Sequence, residues 1–142
     1  MNIVPYVRRT QFYETDQMGV IHHSNYIRWF EEARVDFLEQ IGFPYERVES
    51  RGITFAVLSL SCEYRSSVLF GDRVHIATGV ADCGHARMTM AYRVTDAASG
   101  ELRTTGETRH FFFRKEDARP VSLKKAIPEL YDLFCSLKPE RR

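Results

Sequence analysis

The segment from Phe12 to Glu39, FYETDQMGVIHHSNYIRWFEEARVDFLE, constrains the fold more than any other part of the chain. A strand-like run ends at Asp16, a tight turn is predicted at Gly19, and a long helix is predicted from about Ser24. Apolar residues recur at helical spacing at Ile27, Phe30, Ala33, Phe37 and Ile41. The apolar face is widened beyond that of a surface helix by Trp29, Val35 and Leu38. The sequence therefore predicts a helix that is covered on most sides.

The ends of this helix carry their own signals. Ser24 or Asn25 is expected to cap its N-terminus. Gly42 and Pro44 are expected to end it, because glycine favours a helix C-terminus and proline cannot continue a helix.

The rest of the chain shows the alternation that is typical of β-strands. After Gly52, apolar and polar residues alternate in four runs centred on 58–64, 74–80, 88–94 and 102–114. A first strand is predicted over Tyr6–Tyr13, and short helical segments at Pro44–Ser50 and from Pro128 to about Leu137. Strands joined by short turns favour antiparallel pairing. We therefore predict one α+β domain over residues 1–142, with about five curved antiparallel strands around the long helix and a loose tail at 138–142.

Composition narrows the function classes. The net charge is +1, from 20 Lys and Arg against 19 Asp and Glu, whereas a general nucleic-acid-binding protein needs a strong basic excess. The three cysteines, Cys62, Cys83 and Cys135, form no CxxC motif, so we expect reduced thiols in a cytoplasmic protein. No apolar run is typical of a signal peptide or long enough to span a bilayer, so membrane insertion is not expected.

Asp16 is the strongest candidate for a catalytic residue. It is expected at the turn before the long helix, where unpaired backbone N–H groups and the helix dipole favour negative charge. A carboxylate beside a potential oxyanion site suits the transfer or hydrolysis of an acyl group. The carboxylate can attack the acyl carbon itself or activate a water molecule, and the sequence leaves both routes open.

Other polar residues near Asp16 have simpler explanations. His22 and His23 are adjacent, but a zinc site needs about four ligands and no further ligand follows at suitable spacing, so no metal is predicted. Tyr13 and Glu14 are expected on the solvent face of the first strand. No serine lies in a G-x-S-x-G context, and neither a P-loop nor a G-x-G-x-x-G motif is present.

The run from Tyr13 to Val20, YETDQMGV, followed by His23 and Tyr26, resembles the hotdog-fold acyl-CoA thioesterases. The most similar group is the 4-hydroxybenzoyl-CoA thioesterase family, in particular its bacterial branch that acts on short or aromatic acyl-CoAs. Tyr64-Arg65, Gly71-Asp72 and the closing strand with Phe111–Phe113 also match. The resemblance covers roughly residues 6–133. It implies the hotdog fold and a homodimer with the active site at the subunit interface, with many members pairing dimers into tetramers.

The resemblance also implies residue roles. Asp16 would be the catalytic carboxylate, and the backbone N–H of His23 would polarise the thioester carbonyl. Gly19 and Val20 would let the substrate approach the backbone, with Tyr26 beside them. Apart from the resemblance, basic side chains are candidates for the coenzyme A phosphates because arginine binds phosphate with two hydrogen bonds, although any one of them can equally be an exposed strand charge. The first candidates are Arg65 and Arg87, and the others are Arg109, Arg114 and Lys115. No cofactor is implied, because coenzyme A is part of the substrate.

Two other functions fit the same residues. The acyl group can be carried by an acyl-carrier protein rather than by coenzyme A, in which case a basic docking patch is expected near the site. A non-catalytic acyl-CoA-binding protein would bind the ligand without turnover. A hotdog dehydratase fits less well, because no dehydratase-type histidine-plus-acid motif is evident.

Overall fold

The computed structural model describes residues 2–139. Its strands are β1 (Tyr6–Arg9), β2 (Ile53–Tyr64), β3 (Arg73–Cys83), β4 (Arg87–Asp96) and β5 (Leu102–Arg114). Its α-helices are α1 (Asn25–Gln40), α2 (Tyr45–Ser50), α3 (Leu123–Ala126) and α4 (Pro128–Leu137). The predicted succession of elements is confirmed, except that α3 has no counterpart in the sequence prediction. The predicted loose tail at 138–142 falls largely outside the described residues.

All five strands form one antiparallel sheet in the order β1-β3-β4-β5-β2. The pairs β3–β4 and β4–β5 follow the chain order, as their short turns require. β2 pairs with β5 along its length, from Ile53 opposite Arg114 to Tyr64 opposite Thr104. The expectation that consecutive strands pair with each other through short turns is therefore wrong for β2 and β3. The segment between β2 and β3 is not a hairpin turn, because these strands are separated in the sheet by β4 and β5. This segment is hydrogen-bonded to the chain before α1, where Ile21 N–H donates to Val68 C=O (2.8 Å).

The long helix α1 packs on the inner face of the curled sheet. It buries Trp29, Phe30, Ala33 and Phe37, which are at most 1% exposed. The Phe30 ring stacks on Tyr92 of β4, with ring centroids 4.4 Å apart. An added Cβ at Gly106 of β5 would lie 2.4 Å from the Phe30 ring, so only glycine permits this approach. The predicted α+β architecture, a central helix wrapped by five antiparallel strands, is confirmed.

One edge of the sheet remains apolar and exposed. The edge strand β2 exposes Val57, Leu58 and Leu60, each between 42% and 49%. On α1, Ile27 and Val35 are also exposed (39% and 40%), so the helix is covered on fewer sides than its sequence predicts. A long strand edge with apolar side chains is normally covered by another element or another chain.

The first strand is shorter than predicted. β1 ends at Arg9, because the next residue, Thr10, turns inward: its N–H donates to Asp72 C=O (3.0 Å) and its hydroxyl to Leu69 C=O (2.9 Å). Residues 12–14 then form a 3₁₀ turn. This turn rotates Glu14 into the interior, where it is 3% exposed. The expectation that Glu14 lies on a solvent face is therefore wrong.

Two further features concern the described residues as a whole. None of the helices between residues 2 and 139 has the length and apolar character that crossing a membrane requires. Cys62, Cys83 and Cys135 are free thiols, each partly buried.

Candidate active site

The loop between residues 15 and 21 is a tight turn that projects Asp16. Thr15 and Ile21 form a β-bridge, and Asp16 N–H donates to Val20 C=O (2.9 Å). Gly19 N–H returns to Asp16 C=O (3.1 Å), and Gly19 has φ +78°, a backbone conformation that other residues adopt only with strain. The Asp16 carboxylate accepts the Met18 N–H through Oδ1 (2.8 Å). This bond fixes the carboxylate on its turn.

The start of α1 is held against this turn by Asn25. The Asn25 side chain is buried and donates from Nδ2 to Glu14 C=O (2.9 Å) and His22 C=O (3.2 Å). Asn25 N–H also donates to His22 C=O (3.0 Å). Ser24 occupies the N-cap position but its side chain makes no capping bond; its hydroxyl contacts His22 Nδ1 (2.9 Å) instead. The expected cap is therefore replaced by an amide that anchors the preceding chain.

His23 contacts its neighbours through both its backbone and its ring. Its carbonyl accepts the Tyr64 hydroxyl (3.0 Å), and its ring packs on the His22 ring with centroids 4.1 Å apart. Within residues 2–139, its N–H donates to no protein group. An unpaired N–H at a helix N-terminus is a ready hydrogen-bond donor for a ligand oxygen.

These groups line one cavity of about 250 Å³. Its walls are Asp16, Val20, Ile21, His23, Tyr26, Tyr64, Arg65, Ser66 and Ser67. Tyr26 is buried, and its ring packs on Trp29 and Tyr64 with centroids 4.9 and 5.3 Å apart. Burial raises the pKa of Tyr26, and burial with a hydrogen bond to Cys62 raises that of Tyr64 to about 12. Both phenols are therefore neutral at physiological pH.

The predicted site residues divide into two groups. Asp16, Val20, His23, Tyr26 and Arg65 all line this cavity, and Gly19 forms the turn beside it. Arg65 is exposed and forms an ion pair with the exposed Glu63 (2.9 Å). Such a surface ion pair is weak, so Glu63 competes little with another anion for Arg65.

Arg87 lies elsewhere. It is level with Phe111 on β5, whereas the cavity residue Tyr64 is level with Thr104. At about 3.3 Å per residue, Arg87 is roughly 20–25 Å along the strand from Tyr64. The other basic candidates are close to acids within the chain: Arg109 to Glu107 (4.0 Å), Arg114 to Asp117 (2.9 Å) and Lys115 to Glu49 (3.3 Å).

Glu14 is the residue near the site whose importance the sequence pattern does not indicate. Its buried carboxylate binds Arg8 Nη1 (2.6 Å), Trp29 Nε1 (2.8 Å) and Gln11 N–H (2.8 Å). Burial opposes the charge of Arg8, but its hydrogen bonds to Glu32 and Glu14 raise its pKa, so the guanidinium stays charged. The sequence gives one indication of this role: the indole N–H of a buried tryptophan such as Trp29 needs a hydrogen-bond acceptor.

A second cavity, of about 420 Å³, lies beside the exposed edge. It is lined by Glu31, Arg34, Val35, Leu38, Tyr45, Glu46, Phe55, Val57 and His110. Behind it, Arg34 donates to the Tyr92 hydroxyl (3.1 Å), Tyr92 contacts the Thr108 hydroxyl (2.7 Å), and Thr108 contacts His110 Nε2 (2.7 Å). Burial, with the charge of Arg34, lowers the pKa of His110 to about 4. His110 is therefore neutral at physiological pH, and Arg34 is the charged member of the network.

Residues 2–139 contain no group of three or more His, Cys, Asp or Glu side chains placed to hold a metal ion. The two adjacent histidines, His22 and His23, stack on each other instead.

Most of the chain is matched by a known family. The sequence model of the thioesterase-like superfamily matches residues 10–130. The chain belongs to the thioesterase-like superfamily. The resemblance to hotdog thioesterases, and with it the class of thioester hydrolases, is thereby confirmed.

Similar proteins extend this assignment. A protein of Aquifex aeolicus (strain VF5), whose name assigns it provisionally to the esterases, is 40% identical over 127 residues, covering 88% of this chain and 94% of that protein. The crystal structure of a DHNA-CoA thioesterase from Staphylococcus aureus has a TM-score of 0.88 and 31% identity, covering 94% of this chain and 89% of that one. A Thermus thermophilus protein of unassigned function, TT1821, has a TM-score of 0.84 and 36% identity, with 93% and 99% covered.

We predict that Glu14→Gln lowers the free energy of unfolding by about 3 kcal/mol, because the partly buried Arg8 cation loses one of its two carboxylate partners and keeps only Glu32. Glu63→Gln is the matched control, since its ion pair with Arg65 is exposed and contributes little. Urea unfolding of both variants measures the difference. Equal stability of the two variants would show that Glu14 is not the anchor of this region.

Proposed function

We propose that this protein is an acyl-CoA thioesterase that hydrolyses R–CO–S–CoA to a carboxylic acid and free coenzyme A. The observation that carries the proposal is that Asp16 and His23 line one cavity: Asp16 has a carboxylate, and the His23 N–H, just before α1, donates to no group of residues 2–139. Such a pair can supply a nucleophile or base together with stabilisation of a developing oxyanion.

The chemistry follows from the charges. The thioester oxygen accepts the His23 N–H, and the helix dipole favours the negative charge that forms on this oxygen. Asp16 either attacks the carbonyl carbon, giving a mixed anhydride that water hydrolyses, or removes a proton from the water that attacks. A thiolate is a good leaving group, so no strong general acid is needed. Both routes use the same two groups, and the proposal holds for either.

The relatives support the substrate class. The Staphylococcus aureus neighbour is a DHNA-CoA thioesterase. An Escherichia coli O6:H1 relative named acyl-CoA thioester hydrolase YbgC is 24% identical over 89 residues, which is 63% of this chain and 66% of that protein. In this chain, Arg65 at the mouth of the cavity is the candidate for a coenzyme A phosphate. An Arg87 contact to the phosphates requires the cavity of a second subunit, since it lies far from its own.

We also propose that the active form is a homodimer built on β2, either alone or paired into a tetramer. β2 has 12 residues, forms one edge of the sheet and exposes Val57, Leu58 and Leu60. The opposite edge strand, β1, has only four residues. A second copy would cover the apolar edge and close the 420 Å³ cavity beside it.

We predict that Asp16→Asn lowers kcat by ~10²–10⁴-fold without unfolding the protein. The amide oxygen can still accept the Met18 N–H, but the side chain is neither a nucleophile nor a base. The measurement is thiol release from a panel of acyl-CoAs, with a melting curve. Asp72→Asn is the matched control: Asp72 also accepts a backbone N–H in a turn (2.9 Å) but lies outside the cavity.

The same assay, extended to acyl-carrier-protein thioesters, separates the alternatives. Turnover of acyl-carrier-protein thioesters but not of acyl-CoAs would show that the acyl group is carried by an acyl-carrier protein rather than by coenzyme A. Tight binding of acyl-CoA without turnover by the wild type would make the protein a binding module. A folded Asp16→Asn variant with wild-type kcat would remove Asp16 from the mechanism.

We predict that His23→Pro reduces kcat by about 10²–10³-fold, whereas His23→Ala has a much smaller effect. Proline deletes the N–H, which makes no bond in the described protein, and position 23 precedes the N-cap Ser24, so the substitution removes no hydrogen bond of the helix. Alanine removes only the imidazole. Steady-state kinetics and thermal unfolding of both variants provide the comparison. Equal loss in the two would assign the effect to the imidazole, and no loss in either would place the oxyanion donor elsewhere.

We predict that Val57→Lys converts the oligomer to a monomer at micromolar concentration, because it places a charge on the β2 edge. Val7→Lys is the matched control, since Val7 is equally exposed (52% against 48%) but lies on the other edge strand. Light scattering should give a multiple of 16.6 kDa for the wild type and for Val7→Lys. A monomeric wild type that hydrolyses acyl-CoA would contradict the dimer proposal while leaving the reaction intact.

A further inference from the structure

Two contacts, seven residues apart in the sequence, join α4 and the residue after it to the end of β3 and the turn that follows. The Tyr131 ring packs edge-on against His85, with centroids 5.6 Å apart. Lys138, just after the helix, pairs with Asp82 (2.7 Å between Nζ and Oδ1). Positions 131, 135 and 138 share one face of a helix, so Cys135 is placed between these two contacts, where β3 ends in Cys83.

The thiols of Cys83 and Cys135 are close enough to interact. Burial, followed by the charge and the hydrogen bond of Cys135, raises the pKa of Cys83 to about 12. Both cysteines are free and only partly buried. The third cysteine, Cys62, has a different neighbour. Burial raises the pKa of the Cys62 thiol, and a hydrogen bond with Tyr64 partly offsets this rise.

We propose that Cys83 and Cys135 form a reversible disulfide bond that cross-links α4 to the sheet, with a small-molecule disulfide as the oxidant. Cys135 loses its proton to solvent, and its thiolate attacks one sulfur of RSSR, so that a Cys135–SR bond forms and RS⁻ leaves. The Cys83 thiolate then attacks the Cys135 sulfur and displaces the second RS⁻. Overall, two protein thiols are oxidised by two electrons and RSSR is reduced to two RSH.

The surroundings suit this order of events. In the mixed disulfide Cys135 carries no charge, so one cause of the raised pKa of Cys83 disappears before Cys83 has to react. The Lys138 ammonium acts in the same direction, since its charge lowers the pKa of Cys83. The second step is also intramolecular, which favours it over a second encounter with oxidant.

The bond would change stability rather than catalysis. It closes a loop of roughly 50 residues that contains β4, β5 and α3, and it thereby restricts the unfolded chain. It also fixes α4, whose Leu130 and Phe134 are fully buried in the core. None of the residues that line the Asp16 cavity belongs to α4 or to the end of β3. This inference therefore does not depend on the proposed reaction.

The test uses the full chain equilibrated with oxidised glutathione, then denatured, alkylated with N-ethylmaleimide and weighed by mass spectrometry. We expect the oxidised wild type to have lost two hydrogens and to carry one N-ethylmaleimide adduct, on Cys62. After reduction with dithiothreitol it should carry three N-ethylmaleimide adducts. Proteolysis should yield one cross-linked peptide containing Cys83 and Cys135. The oxidised protein should melt about 5–10 °C higher than the reduced protein.

Single serine variants are the controls. Cys62→Ser should form the bond and show the same rise in Tm as the wild type. Cys83→Ser should stop at a glutathione adduct on Cys135, Cys135→Ser should lack the thiol that attacks the oxidant first, and neither variant should show the rise in Tm. The proposal is overturned if the wild type keeps three alkylatable thiols at equilibrium with the oxidant. It is also overturned if the cross-link involves Cys62, or if oxidation raises the Tm of Cys83→Ser as much as that of the wild type.

Discussion

The buried carboxylate of Glu14 is the contact on which the geometry of the site depends. A charge that is 3% exposed is tolerated only with partners, and Glu14 draws them from β1 (Arg8) and α1 (Trp29). Its backbone carbonyl accepts two more donors, His22 N–H (2.8 Å) and Asn25 Nδ2 (2.9 Å). One residue thus fixes the sheet edge, the Asp16 turn and the helix start relative to one another.

Local features of the site can be predicted from the sequence. Asp16 and His23 are separated by a single turn, so the residues that bring them together are adjacent in the chain. The strands follow from alternation and the long helix from its apolar spacing, because both depend on short-range periodicity. Gly19 follows from the need for a positive φ in the turn.

Long-range features cannot be predicted in this way. Periodicity does not reveal that β2 pairs with β5 rather than with β3, because the pairing partner depends on a crossing of the sheet. Alternation placed Glu14 outward because a 3₁₀ turn that begins at Phe12 is not visible in a strand pattern. The position of Arg87, far along the sheet from its own cavity, follows from register and from no local motif.

The two hydrogen bonds that Asn25 donates to the His22 carbonyl affect the chemistry of that peptide unit. The His22 carbonyl and the His23 N–H belong to the same peptide unit, and that carbonyl accepts both Asn25 N–H and Asn25 Nδ2. Two donors on a carbonyl oxygen increase the resonance of the peptide and make its N–H more acidic, so hydrogen bonds along the unit reinforce one another. Asn25 therefore acts as an electronic partner of the His23 N–H. A buried residue that does not line the cavity thus strengthens the hydrogen-bond donor that we propose for the thioester oxygen.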